Sequence, residues 1–152
     1  MRSDRAFDAF VRDAEQRLRR ALLGAVGVDR VDDAVAEALG YAYEHRARLD
    51  EMANPVGYLF RVGQSRTRQR KPLRLFRSDE PVHIPDVEPR LIGALQELPD
   101  TQRIAVWLAH GCGWPHAEIA DVLDVSPSTV ATHVSRGLQR LRTELGVTDA
   151  HH

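Results

Sequence analysis

The 152-residue sequence predicts an all-α protein: two small helical domains joined by a proline-containing linker, the second carrying a helix-turn-helix. Three observations carry that prediction. Apolar residues recur every three or four positions, the spacing of a buried helical stripe, and no segment sustains the period-two alternation of a strand. Between 72 and 89 the periodicity gives way to Pro72, Pro81, Pro85 and Pro89 among polar and acidic residues, which removes backbone donors and biases preceding residues away from helix. From Glu118 to Leu138 a small residue, a turn and a capped helix follow one another in the order a helix-turn-helix needs.

Each element has its own justification. Phe7, Phe10, Val11, Ala14, Leu18 and Leu22 make one stripe on a first helix that ends near Gly24 and Gly27. A second helix fits Val31, Val35, Ala38, Leu39, Ala42 and Leu49, with Asp29 as its N-cap and Asp32 and Asp33 placed favourably against the positive end of the helix dipole. Asn54 and Pro55 supply the cap and first-turn proline of a third helix that buries Val56, Leu59, Phe60 and Val62. The linker, 72–89, separates modules of about 70 and about 60 residues, each near the smallest size at which a domain folds alone. Beyond it, Leu91, Ile92, Leu95 and Leu98 form a short helix stopped at Pro99. Asp100 starts another that runs through Ile104 and Trp107 to Gly111. Pro115 opens a helix through Ile119, Ala120 and Leu123, and Ser126-Pro127 caps the last one through Val130, Val134, Leu138, Leu141 and Leu145.

Composition excludes several functions. The single cysteine, Cys112, cannot form an intramolecular disulfide, which points to a reducing cytoplasm. The N-terminus alternates Arg2, Asp4, Arg5 and Asp8 where a signal peptide would be apolar, so no membrane insertion is expected. The net charge of −1 hides a segregation. Residues 61–77 hold Arg61, Arg66, Arg68, Arg70, Lys71, Arg74 and Arg77 without an acid, whereas 29–37 hold Asp29, Asp32, Asp33 and Glu37 against Arg30. Of the basic residues only Lys71 is lysine. GC-rich codons explain that bias, as would a demand for bidentate phosphate and base contacts.

Two constellations point to nucleic acid. In the helix-turn-helix, Ala120, Leu123, Val125 and Val130 meet the packing demands of two crossing helices. Ser128, Thr129, Thr132, His133 and Arg136 remain on or near the outward face of the second, suited to phosphates and major-groove base edges. Asp124 stands where the turn often has glycine, and aspartate tolerates left-handed geometry better than most residues. The basic third helix joins Tyr58, a stacking ring, to Arg61, Arg66, Arg68 and Arg70, the mixture that a single strand requires.

The residues Val31-Asp32-Asp33-Ala34-Val35-Ala36-Glu37-Ala38-Leu39, Arg48-Leu49, Asn54-Pro55, Tyr58-Leu59-Phe60-Arg61-Val62 and the basic tail to Lys71 resemble region 2 of sigma factors of the extracytoplasmic-function type, in the sigma-70 family. Leu98-Pro99-Asp100-Thr101-Gln102-Arg103, the helix-turn-helix and Arg136-Gly137-Leu138 resemble region 4 of the same family. The resemblance implies a region 2-like domain at 1–71, a linker at 72–89, a region 4-like domain at 90–146 and a tail at 147–152. It implies a non-catalytic subunit, without cofactor or metal, that directs RNA polymerase core to promoters and opens the strands. Asp32, Asp33 and Glu37 would meet the β′ clamp helices, and region 4 the β flap. The segment Arg46 to Asn54 would capture a base flipped from the non-template strand of the −10 element, with Tyr58, Arg61, Ser65, Arg66 and Arg68 following that strand; extrusion of the base costs a few kcal/mol that the pocket must return. The last helix would read the −35 duplex, and an anti-sigma factor is a further partner the resemblance allows. Ala36, Tyr43 and Ser65 stand where the family commonly has glutamine, tryptophan and asparagine.

Other readings compete with it. Ser126 to Val134 also resembles the output domain of LuxR-type regulators, which bind duplex DNA without core polymerase; nothing in the N-terminal half resembles a phospho-acceptor or ligand-binding domain. A metal-dependent nuclease or hydrolase using Asp32, Asp33 and Glu37 would need a complementary ligand cluster, and adjacent aspartates project about 100° apart on a helix. His110, Cys112 and His116 are three potential zinc ligands without a fourth.

Overall fold

In the computed structural model, which describes residues 4–67 and 88–146, the chain divides into two compact units, Met1–Leu75 and Phe76–His152. The described residues contain helices and short turns and no strand. The linker residues 72–87, the basic positions Arg68, Arg70 and Lys71, and the tail 147–152 lie outside them.

The first unit holds α1 (Asp4–Val26), α2 (Val31–Glu44), α3 (Arg46–Asp50) and α4 (Pro55–Thr67). Helix α1 buries Phe7, Val11, Ala14, Leu18 and Leu22, while Phe10 is only half-buried. Gly24 continues the helix; Gly27, at φ 87°, is the residue that ends it, because a left-handed backbone there costs glycine nothing. Helices α1, α2 and α4 pack on one another around Leu18, Leu22, Leu59 and Phe60, each fully buried. Burying such a side chain contributes about 1.5–3 kcal/mol.

Two details differ from the sequence expectation. The residue capping α2 is Arg30, not Asp29, and it makes no side-chain capping bond. The reason is the tight turn after Gly27, in which the Arg30 N–H donates to the Gly27 carbonyl at 3.3 Å and the chain reaches the helix one residue late. Nor does α2 run on to Leu49. It stops at His45 (φ −129°, ψ 41°), whose backbone N–H donates to the Tyr41 carbonyl, and α3 starts afresh to drive Leu49 into the core. The segment from Arg46 to Asn54 is therefore a turn of helix followed by a short loop. Asn54 caps α4 as expected, its Oδ1 accepting from the Gly57 N–H at 3.0 Å.

The second unit holds α5 (Pro89–Gln96), α6 (Asp100–Val106), a π-helical turn (Trp107–Gly111), α7 (His116–Leu123) and α8 (Pro127–Leu145). Pro89 is the first residue of α5, and Glu88 caps it by accepting from the Arg90 N–H, so the helix starts one proline earlier than the expected domain edge. The expected helix from Asp100 to Gly111 widens at Trp107, where the Cys112 N–H donates to the Trp107 carbonyl five residues back. Gly111 makes room for this: a Cβ there would lie 2.7 Å from the Trp107 ring. Helix α8 is the centre of the unit and packs against α5, α6 and α7. Gly137 lets it approach α6, where a Cβ would meet Val106 Cγ2 at 2.5 Å. The buried Arg103 pairs with Asp100 at 2.9 Å.

Candidate nucleic-acid interface

Helices α7 and α8 form the expected helix-turn-helix. Ile119, Ala120 and Val122 of α7 and Val130 and Val134 of α8 are buried between the helices and the rest of the unit. The turn passes through Asp124 in the left-handed conformation (φ 57°, ψ 48°), the non-glycine residue anticipated there. The Val125 N–H closes it on the Ala120 carbonyl at 3.1 Å. Ser126 then caps α8, its Oγ accepting from the Thr129 N–H at 3.1 Å, with Pro127 in the first turn. An alanine at that cap would cost about 1 kcal/mol.

This geometry leaves Ser128, Thr132 and Arg136 exposed and Thr129 and His133 half-buried. The hydroxyls are not all idle. Ser128 Oγ and Thr129 Oγ1 lie 3.0 and 2.9 Å from Ser126 Oγ, and Thr132 Oγ1 donates to the Ser128 carbonyl at 3.2 Å. The Thr132 proton thus serves the helix, which leaves that oxygen free to act as an acceptor. Arg136 lies further along, beside a groove of about 560 Å³ lined also by Gln102, Gln139, Arg140 and Thr143, with Glu97 and Glu144 at its sides. Arg140 was missed from the sequence, although its position four residues after Arg136 puts both guanidinium groups on one face.

In the first unit, α2 and α4 bring the two predicted sets of residues together. Glu37 and Arg66, assigned to different partners, form an ion pair at 3.3 Å. Asp32 pairs with Arg19 of α1, and Asp33 is exposed. Arg61 and Ser65 are exposed on α4, and Tyr58 is half-buried. Tyr58 and Arg66 both meet Tyr41, a residue sequence reasoning did not single out. The Tyr41 hydroxyl faces Tyr58 Oη at 3.4 Å, the Arg66 Cζ lies 5.5 Å from the Tyr41 ring centre, and His45 stacks on that ring at 4.0 Å. The contact with Tyr58 and then burial raise the Tyr41 hydroxyl above its ordinary pKa of 10.0, against the pull of Arg48 and Arg66.

Arg46 and Asn54 are both engaged by the fold itself. Arg46 lies over the Phe7 ring at 4.3 Å and pairs with Asp4 at 2.8 Å, while Asn54 Oδ1 is spent on the cap of α4 and its Nδ2 is buried. Among the described residues no three histidine, cysteine, aspartate or glutamate side chains converge as a metal site, and His110, Cys112 and His116 do not form one. Nor is any described helix long and apolar enough to cross a membrane.

With this geometry in place, comparison with known proteins adds two findings. Residues 89–141, which contain the whole helix-turn-helix and most of α8, match the family model described as sigma-70, region 4. The whole chain is similar in fold to the sigma factor RpoE of Bartonella quintana, solved in complex with the anti-sigma factor NepR. The likeness has a TM-score of 0.76 at 21% identity and covers 95% of this chain and 99% of that one.

Proposed function

Because residues 89–141 match the family model of sigma-70 region 4, we propose that the chain acts as a sigma factor of the extracytoplasmic-function type. It binds RNA polymerase core, recognises promoters and opens the strands, by contact and not by chemistry of its own. The observation that carries this reading is that the region 4 match falls on a helix-turn-helix whose capped second helix presents Ser128, Thr132 and Arg136 to solvent. In that role α8 lies in the major groove of the −35 element, with Thr129 and His133 at the edge of the contact and Arg136 on phosphate. The β flap takes region 4 from another side.

The first unit does the rest. Asp32, Asp33 and Glu37 on α2 meet the β′ clamp helices. Tyr58, Arg61, Ser65 and Arg66 on α4 follow the non-template strand of the −10 element, continued by Arg68. The segment between α3 and α4 captures the flipped base, with Arg46 and Asn54 fixing its shape through Phe7, Asp4 and the α4 cap. A sigma factor of this fold is held by an anti-sigma factor in the Bartonella quintana structure, and a protein of that kind is the expected regulator here.

The test is reconstitution with core polymerase. Co-migration on gel filtration is the expected result, with Arg61→Ala retaining core binding but slowing open-complex formation. Tight binding of duplex DNA by a free dimer that ignores core would instead identify a LuxR-like regulator.

A further inference from the structure

Tyr41 belongs to neither of the two sets given roles above, yet it touches Tyr58 and Arg66 of one, and Arg66 in turn pairs with Glu37 of the other. The residue is 6% exposed, and it projects from α2 toward α4. On α4, Tyr58 and Arg66 are eight residues apart, a rise of about 12 Å along the axis. Two side chains so separated do not meet by themselves. The Tyr41 ring joins them: its centre lies 5.5 Å from that of Tyr58 and 5.5 Å from the Arg66 Cζ, and its hydroxyl faces Tyr58 Oη at 3.4 Å. Glu37, one turn earlier on α2, takes the same guanidinium at 3.3 Å. The ring is itself fixed, by His45 stacked at 4.0 Å with its Nδ1 3.1 Å from the Tyr41 carbonyl oxygen. A cation held against an aromatic face is partly oriented before any ligand arrives, so less side-chain freedom is lost on binding.

We propose that Tyr41 is a positioning residue for single-stranded DNA, its ring holding Tyr58 and Arg66 as one stacking-and-charge pair along the strand. The inference rests on the reading that α4 follows that strand. It adds a residue outside α4 and outside the acidic face of α2, and it makes Tyr58 and Arg66 a coupled pair.

The test uses the full-length chain reconstituted with core polymerase and a fluorescein-labelled single strand of about 12 nucleotides and mixed sequence, followed by anisotropy across a salt series. Arg66→Ala should weaken binding and reduce the salt slope by about one. Tyr41→Leu should weaken it by about threefold to fivefold, the worth of one exposed cation–π contact, and lower the slope in the same way. In the Arg66→Ala background Tyr41→Leu should lose only the part it exerts through Tyr58, about twofold. Additive losses, or an unchanged salt slope in Tyr41→Leu, would overturn the positioning role, since loss of packing alone does not remove a phosphate contact. Tyr41→Phe keeps the ring and the packing and carries the test even if Tyr41→Leu folds poorly. Its loss of about twofold should vanish in a Tyr58→Phe background, and a loss that persists there counts against the proposal. Unchanged binding by Arg66→Ala would sink the strand assignment itself, and the proposal with it, a failure distinct from additivity between Tyr41 and Arg66.

Discussion

Replacing Gly63 by alanine puts a methyl group where the backbone of α2 already stands. A Cβ at Gly63 would lie 2.7 Å from the Ala34 carbonyl oxygen and 3.0 Å from Leu22 Cδ1. The first contact falls short of ordinary van der Waals distance by about 0.7 Å, and a helix carbonyl cannot swing aside as a side chain can. Helix α4 must retreat from α2, or both must bend, at a cost of about 1–3 kcal/mol. Against this, alanine gains about 1 kcal/mol over glycine within a helix. Gly40 on α2 provides the matched control, being helical and exposed, with nothing within 4 Å of a Cβ. Both substitutions carry the same propensity gain, so the difference between Gly40→Ala and Gly63→Ala isolates the clash. It should amount to about 1–3 kcal/mol, or at least about 4 °C in the melting of a domain of this size. Both tryptophans, Trp107 and Trp114, lie in the second unit, so their fluorescence follows that unit alone while far-ultraviolet circular dichroism follows both. Gly63→Ala should shift the circular dichroism transition downward relative to Gly40→Ala and leave the tryptophan transition in place. Equal melting of the two variants would refute the close approach of α2 and α4 on which the Tyr41–Arg66 contact depends.

Three further outcomes are expected. Ser126→Ala removes the acceptor of the Thr129 N–H and should lower the stability of the second unit by about 1 kcal/mol, read from the tryptophan transition. Arg136→Ala should weaken upstream duplex binding by the reconstituted holoenzyme and reduce its salt slope by about one; an unchanged slope would remove Arg136 from the phosphate contacts. Because the folded state raises the Tyr41 pKa, the native protein holds that proton at pH values where the unfolded chain has released it. The contribution is therefore complete below pH 10.0 and is lost as pH rises through the raised value. Tyr41→Phe should flatten that alkaline decline in urea titrations of the first unit, and an identical decline in both proteins would deny the shift.

The parts legible in the sequence were those written locally. The buried stripe of α1, the Asn54 cap, the Ser126-Pro127 start of α8 and the left-handed Asp124 each depend on residues within a turn of one another, and each stands in the structure. The break at His45 and the π turn at Trp107 carried no glycine or proline signal at the point of departure. The first is set by tertiary packing that turns Leu49 inward, the second by the close fit of the Trp107 ring over Gly111 in the same turn, a steric detail that apolar periodicity does not report. The same limit explains the site. Outward residues of α8 follow from one helix's periodicity, whereas the Glu37–Arg66 pair and the Tyr41 contacts join α2 to α4 and need the crossing of two helices to become visible. Arg46 illustrates the reverse: a basic residue in a segment expected to face DNA has its charge answered by Asp4 and the Phe7 ring of α1.

The most direct measurement of the central claim is run-off transcription by core polymerase with and without this chain, on a pool of genomic fragments. The account predicts discrete, promoter-dependent transcripts only when the chain is present, lost when Asp32, Asp33 and Glu37 are replaced together by alanine. Transcription unchanged by adding the chain, despite a folded protein and active core, would contradict it.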